Sequence, residues 1–180
     1  MKLLLDSCYI GPIQNLDANN LCAFVVANKD RLKRYFPITL KENLTPDLSK
    51  LFVEQKRKAF QLKEEFLYTI KVLKTSQLIG LIYLKAINWT DKHGELAYCI
   101  DRKFEGRGIT TTVVNALCDY AFNSLRLKTL KIIVHKTNFA SIKIAKKCNF
   151  TWIKTLKNEH TPPGESALDM ELYELYKVLE

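Results

Sequence analysis

The period of the apolar residues changes sharply at Phe66, and that change restricts the architectures open to this chain. Ahead of it, "NLDANNLCAFVVANKDRLKRYF" and "DLSKLFVEQKRKAFQL" carry apolar side chains at helical spacing, with Leu16, Asn20, Ala23, Phe24 and Ala27 expected on one face of the first. Thr45-Pro46 is a start signal for the second helix, and Pro37 separates the two. From Phe66 onward, "FLYTIKVL" and "QLIGLIYLKAI" are rich in Leu, Ile and Tyr and are joined by the turn-forming "KTSQ", which predicts a hairpin. A chain that goes from helices to a hairpin must pack those helices against a sheet, so all-helical and all-strand folds are excluded.

The remaining segments extend the same pattern. Leu3 to Ile13 reads as a first strand ending at Gly11-Pro12, and "ELAYCID" as a strand after the loop "NWTDKHG". Next comes a helix with Ile109, Val113, Leu117 and Ala121 at intervals of four, then the strand "TLKIIVHK" and the short helix of "NFASIKIAKKCNF". Asn149 is suited to end that helix in the left-handed conformation. "FTWIKTL" and "ALDMELYEL" supply two last strands around "PPG". The expectation is one domain over residues 1–180, of α/β class: a mixed, mostly antiparallel twisted sheet of about seven strands with helices on both faces.

Composition removes several classes of function. Asp6 cuts the first apolar run far short of a secretory core, and no stretch is long enough to span a membrane. The five cysteines, Cys8, Cys22, Cys99, Cys118 and Cys148, are scattered singly without zinc-ligand spacing, so the reading is of free thiols in a reducing compartment and no metal. The formal net charge of +9 suits an anionic ligand, a nucleic acid or merely good solubility. Because the lysines are spread from Lys29 to Lys177 without a stripe of interleaved aromatics, a general nucleic-acid binder is disfavoured.

The stretch with the most chemical content is "EGRGITTT". Gly106 and Gly108 permit backbone angles closed to other residues, and the helix that follows presents unpaired amides at its start. Together these make a cradle for an anion such as a pyrophosphate, favoured by the positive end of the helix dipole and by Arg107. The stretch is neither a G-x-x-x-x-G-K-[ST] loop nor a dinucleotide G-x-G-x-x-G. Taken alone it is also compatible with a glycine-softened turn before a helix.

The stretch resembles the pyrophosphate loop of the GNAT N-acetyltransferases, in the RimJ/RimL-type branch whose loop usually reads Q-G-K-G-I-x-T-E-A. The resemblance extends along the chain. "RLKRYFP" is similar to the family's L-R-x-W-L-P, "SQLIGLIYL" to its I-G-x-I-x-L strand, "GELAYCID" to its A-E-I-G-Y-W-I strand, and "NFASIKIAKKCNF" to N-x-x-S-x-x-x-x-x-K-x-G-F. Three departures stand out: Glu105 replaces the usual Gln or Arg and brings a negative charge near a pyrophosphate, Thr110 stands where Gly or Ala is common, and Asn149 replaces a glycine.

What the resemblance implies is a GNAT fold and direct acetyl transfer from acetyl-CoA to a primary amine, on a ribosomal-protein N-terminus or a small molecule, in the cytoplasm. It assigns cofactor binding to Gly106, Arg107, Gly108, Ile109, Thr110 and Thr111 at the pyrophosphate and to Asn138 at the pantetheine arm. Backbone amides of Cys99 or Ile100 are expected to polarise the acetyl carbonyl. Glu95 is the candidate general base, with His93 as the alternative, and Ser141 the candidate donor to the departing thiolate, because the position where many relatives carry tyrosine is Ala145. Cys99 as a nucleophile lacks a partner histidine and reads as an inert thiol. The segments from Lys29 to Leu62 and Asn158 to Ala167 are expected to form the acceptor groove. A competing reading, fed by Glu105 and the missing tyrosine, is an inactive acyl-CoA-binding module. A homodimer is left open.

Overall fold

The structure is a computed structural model that describes residues 2–5 and 7–178. Its strands form one eight-stranded sheet, mostly antiparallel, in the order β1-β2-β3-β4-β5-β6-β8-β7, accompanied by six helices. The strands are β1 (Leu3–Leu4), β2 (Cys8–Pro12), β3 (Phe66–Val72), β4 (Leu78–Asn88), β5 (His93–Ile100), β6 (Thr129–Val134), β7 (Thr151–His160) and β8 (Leu168–Tyr176). The helices are α1 (Ala18–Ala27), α2 (Lys29–Tyr35), α3 (Pro37–Lys41), α4 (Pro46–Gln61), α5 (Ile109–Asn123) and α6 (Phe139–Lys147). No helix among the described residues is long and apolar enough to cross a membrane.

By internal contacts the chain divides into two compact units, Met1–Tyr83 with Tyr98–Arg107 and Leu84–Ala97 with Gly108–Glu180. In the first, β3 is buried at Phe66 to Lys71 and β4 throughout its run from Leu78 to Tyr83. That explains why these two runs are apolar without alternating: both faces of each strand are covered. Phe60 of α4 packs edge-on against Phe66 and Tyr68, with ring centroids 4.9 and 5.4 Å away. Thr45 caps α4 by accepting from the Leu48 amide, and Pro46 occupies the first turn, where its missing N–H costs nothing. Lys71 and Asp17 form a buried ion pair, and Asp17 also accepts from the Gln14 amide at 2.9 Å, so the buried charges are matched.

Three expectations about this unit need correction. The single strand from Leu3 to Ile13 is two: β1 doubles back to pair antiparallel with β2, Leu3 opposite Ile10, while Asp6 lies outside the described residues. The first helical stretch is broken at Asn28, whose side-chain Nδ2 donates to the Phe24 carbonyl at 2.9 Å and to Asp101 Oδ2 at 3.2 Å. A side chain that binds the preceding turn's carbonyl competes with the backbone ladder and ends α1 there. The buried face of α1 is Ala18, Leu21, Cys22, Phe24 and Val25, whereas Leu16, Asn20, Ala23 and Ala27 are exposed. Apolar residues sit on more than one side of this helix, so periodicity alone left its orientation open.

In the second unit, α5 buries Ile109, Val113, Val114, Leu117, Cys118, Ala121 and Phe122, which contains the expected stripe. β5 and β6 run parallel over His93–Glu95 and Thr129–Lys131, as strands joined through a crossover helix can. β6 alternates buried and half-buried residues and pairs antiparallel with β8, which pairs antiparallel with β7. Gly94 has to be small: a Cβ there would stand 2.8 Å from Leu84 Cδ1.

Candidate active site

The glycine loop is built from the end of β5 onward. The Asp101 amide donates to the Ile79 carbonyl at 2.7 Å, and the Asp101 carboxylate accepts from the Lys103 amide at 2.8 Å, which caps the 3-10 turn Arg102–Phe104. Glu105 is extended, and then Gly106 (φ 73°) and Gly108 (φ 77°) take left-handed angles. Nothing lies within 4 Å of a Cβ added at either glycine, so backbone conformation, not crowding, is what demands glycine there. Gly108 is the N-cap of α5 and has no side chain with which to cap it. The first amides of this 15-residue helix, at Ile109, Thr110 and Thr111, precede the turn in which an intrahelical carbonyl becomes available. These donors and the helix dipole suit an anion. The Arg107 guanidinium lies 5.1 Å over the Phe104 ring, and Arg31 of α2 forms an ion pair with Glu105.

The start of α6 brings two expected residues together. The Asn138 amide donates to the His135 carbonyl at 2.8 Å, while Asn138 Oδ1 accepts from the Ser141 amide at 3.2 Å. Asn138 is thus the N-cap, using its carbonyl oxygen. Ser141 is half-buried in the first turn, and Ala145, one turn on, is fully buried. At the other end Asn149 adopts φ 62° and Phe150 donates to the Ala145 carbonyl at 3.0 Å, which is the left-handed helix end its sequence predicts. The Cys148 thiol donates to the Thr111 carbonyl at 3.6 Å, tying the end of α6 to the first turn of α5.

On β5, Glu95 is half-buried and faces the Lys85 ammonium at 3.0 Å. This lysine partner has no signature in the sequence. His93 lies two residues earlier, and its Nδ1 is buried without a hydrogen-bond partner. Further along the strand, the Cys99 carbonyl and the Ile100 Cα come so close to Gly80 that a Cβ there would meet them at 2.8 and 3.4 Å. Glycine at position 80 is what permits this close backbone approach. Burial pushes the Cys99 thiol up to about 12, with the Leu81 backbone and the Arg31 charge opposing weakly. It is therefore a thiol at neutral pH, in keeping with an inert side chain. Burial also pushes the Cys148 thiol up to about 11. All five cysteines are free. No cluster of three or more His, Cys, Asp or Glu suited to a metal occurs among the described residues.

The arrangement compares closely with known proteins. A family profile for the acetyltransferase (GNAT) domain matches residues 9–151. A probable N-acetyltransferase of Bacillus subtilis is 24% identical over 143 residues, covering 79% of each chain. The spermidine N(1)-acetyltransferase of Escherichia coli is 33% identical over 86 residues, 48% of this chain and 46% of that protein. In three dimensions the crystal structure of a ribosomal-protein-S5-alanine acetyltransferase from Vibrio fischeri superposes with a TM-score of 0.89 over 98% of this chain and 96% of that one, at 18% identity.

Proposed function

This chain belongs to the acetyltransferase (GNAT) family and is an N-acetyltransferase; we propose that it is of the RimJ/RimL type and draws the acetyl group from acetyl-CoA held by the amides of Gly106 to Thr111. The single observation that carries this reading is the loop itself, two left-handed glycines running into an α5 that has no side-chain cap. Such donors fit a pyrophosphate without any side chain having to reach it. Asn138 spends Oδ1 on its helix cap, so its Nδ2 is the group assigned to the pantetheine amides. The backbone amide of Cys99 or of Ile100 polarises the thioester carbonyl.

The transfer needs a neutral amine, and an alkyl ammonium with a pKa of ~8 to ~10 is mostly protonated at neutral pH. Glu95 receives that proton, directly or through a water. The amine nitrogen then bonds to the acetyl carbon and gives up its surplus proton to water, the carbon–sulfur bond breaks, and the thiolate takes a proton from the Ser141 hydroxyl, which is itself reprotonated from solvent. The chemistry as written calls for no metal, because the amine is the nucleophile, a backbone amide polarises the carbonyl and the Ser141 hydroxyl protonates the departing thiolate. The free thiols suit a reducing cytoplasm.

The acceptor is a primary amine, either a protein N-terminus or a polyamine-like small molecule. The ribosomal acceptor in the name of the Vibrio protein and the spermidine in that of the Escherichia protein support these two classes. Thiol release from acetyl-CoA, measured with peptides, polyamines, amino acids and aminoglycosides in turn, identifies the class by its stimulation. Gly108→Val places a β-branched residue at φ 77° and should weaken acetyl-CoA binding at least tenfold, about 1.4 kcal/mol, with the fold retained. Unchanged affinity in calorimetry would take the loop out of the site.

A further inference from the structure

Glu105 puts a carboxylate immediately before Gly106, where an incoming pyrophosphate would be repelled. The structure supplies a counter-charge from α2. Arg31 is paired with Glu105 across 74 residues of sequence, both side chains about two-fifths exposed. Arg31 also lines a cleft of about 540 Å³ with Asn28, Asp30, Asp101, Arg102 and Lys103. The two carboxylates of that cleft are already engaged: Asp30 faces Lys33 at 3.6 Å, and Asp101 accepts from Asn28 and from the Lys103 amide. Arg31 therefore goes to the one acid that precedes the glycines.

We infer that Arg31 is a positioning residue for cofactor binding, which neutralises Glu105 and tethers the entrance of the glycine loop to α2. The inference rests on the reading of that loop as the acetyl-CoA pyrophosphate site. A half-exposed ion pair adds little to folding, so its effect falls on binding of the anion. With Arg31 removed, Glu105 carries a bare charge beside the phosphates; with both removed, the charge and the need for compensation disappear together.

The test is acetyl-CoA affinity by calorimetry for Arg31→Ala, Arg31→Lys, Glu105→Gln and the double variant Arg31→Ala/Glu105→Gln, with Gly108→Val as the probe of the loop. Arg31→Ala should weaken binding about fivefold at low salt, raise KM for acetyl-CoA without lowering kcat, and lose most of its deficit at about 0.5 M salt. Arg31→Lys keeps the charge and should bind more tightly than Arg31→Ala. Glu105→Gln should bind at least as tightly as the unchanged protein, and the double variant should match Glu105→Gln. Two results overturn the inference: Arg31→Ala binding as well as the unchanged protein, or a double variant as weak as Arg31→Ala, which would mean that Arg31 serves the cofactor directly. An unaffected Gly108→Val removes the loop reading itself, whereas a weakened Gly108→Val beside an unaffected Arg31→Ala removes only the role of Arg31.

Discussion

Glu95 shows how much one side chain's surroundings matter to a catalytic assignment. Its carboxylate faces Lys85 at 3.0 Å, and the lysine is about two-fifths exposed, so the ammonium stays solvated when its partner is neutralised. Glu95→Gln should then leave thermal stability nearly unchanged, since a partly exposed pair is worth ~0 to ~1 kcal/mol. Activity should respond differently. The loss of rate is expected to be largest near neutral pH and to recover in part at alkaline pH, where the amine is already unprotonated and a base is dispensable. A loss of equal size at every pH would assign Glu95 a positional role in place of proton transfer.

The first turn of α6 couples a structural task with a chemical one. Asn138 caps the helix through the Ser141 amide, so the cap depends on the backbone of residue 141 and not on its hydroxyl. Ser141→Ala should accordingly keep the helix start and the acetyl-CoA affinity while slowing turnover, because a bond to sulfur matters chiefly as negative charge develops there. Asn138→Ala removes the cap itself and should cost roughly 0.5 to 2 kcal/mol, read as a lower melting temperature. If Ser141→Ala turned over normally in single-turnover kinetics, water would be the proton source for the thiolate.

At the scale of the whole molecule, burial of the thiols makes stability depend on pH at the alkaline end. Cys99 and Cys148 are raised from 9.0 to about 12 and about 11, both chiefly by burial. An acid whose folded value is raised holds its proton more tightly in the native state, so this contribution is fully present below the unfolded value and is lost as pH rises through the folded one. The melting temperature should fall between pH 9 and pH 12 beyond what lysine and tyrosine titration cause. Cys99→Ala should flatten part of that fall. An alkaline arm identical in the variant would show that the Cys99 thiol is not raised in the native protein.

The order of helices and strands from Phe66 onward, the glycine loop, the Thr45-Pro46 helix start and the left-handed Asn149 were all legible in the sequence. Each depends on backbone preferences and periodicities that a short segment carries with it wherever it packs. The family resemblance was legible for the same reason, since its landmarks are local motifs. Tertiary structure decided the rest. Which side of α1 is buried depended on what packs against it, and the doubling back of β1 depended on β2 as a pairing partner. The pairing of Lys71 with Asp17, of Lys85 with Glu95 and of Arg31 with Glu105 had no signature in spacing, because charges distant in sequence meet only when packing brings their backbones together. Glu105 by itself reads as an obstacle to an anion; the arginine that answers it is on a helix 74 residues away, and only the fold places the two side by side.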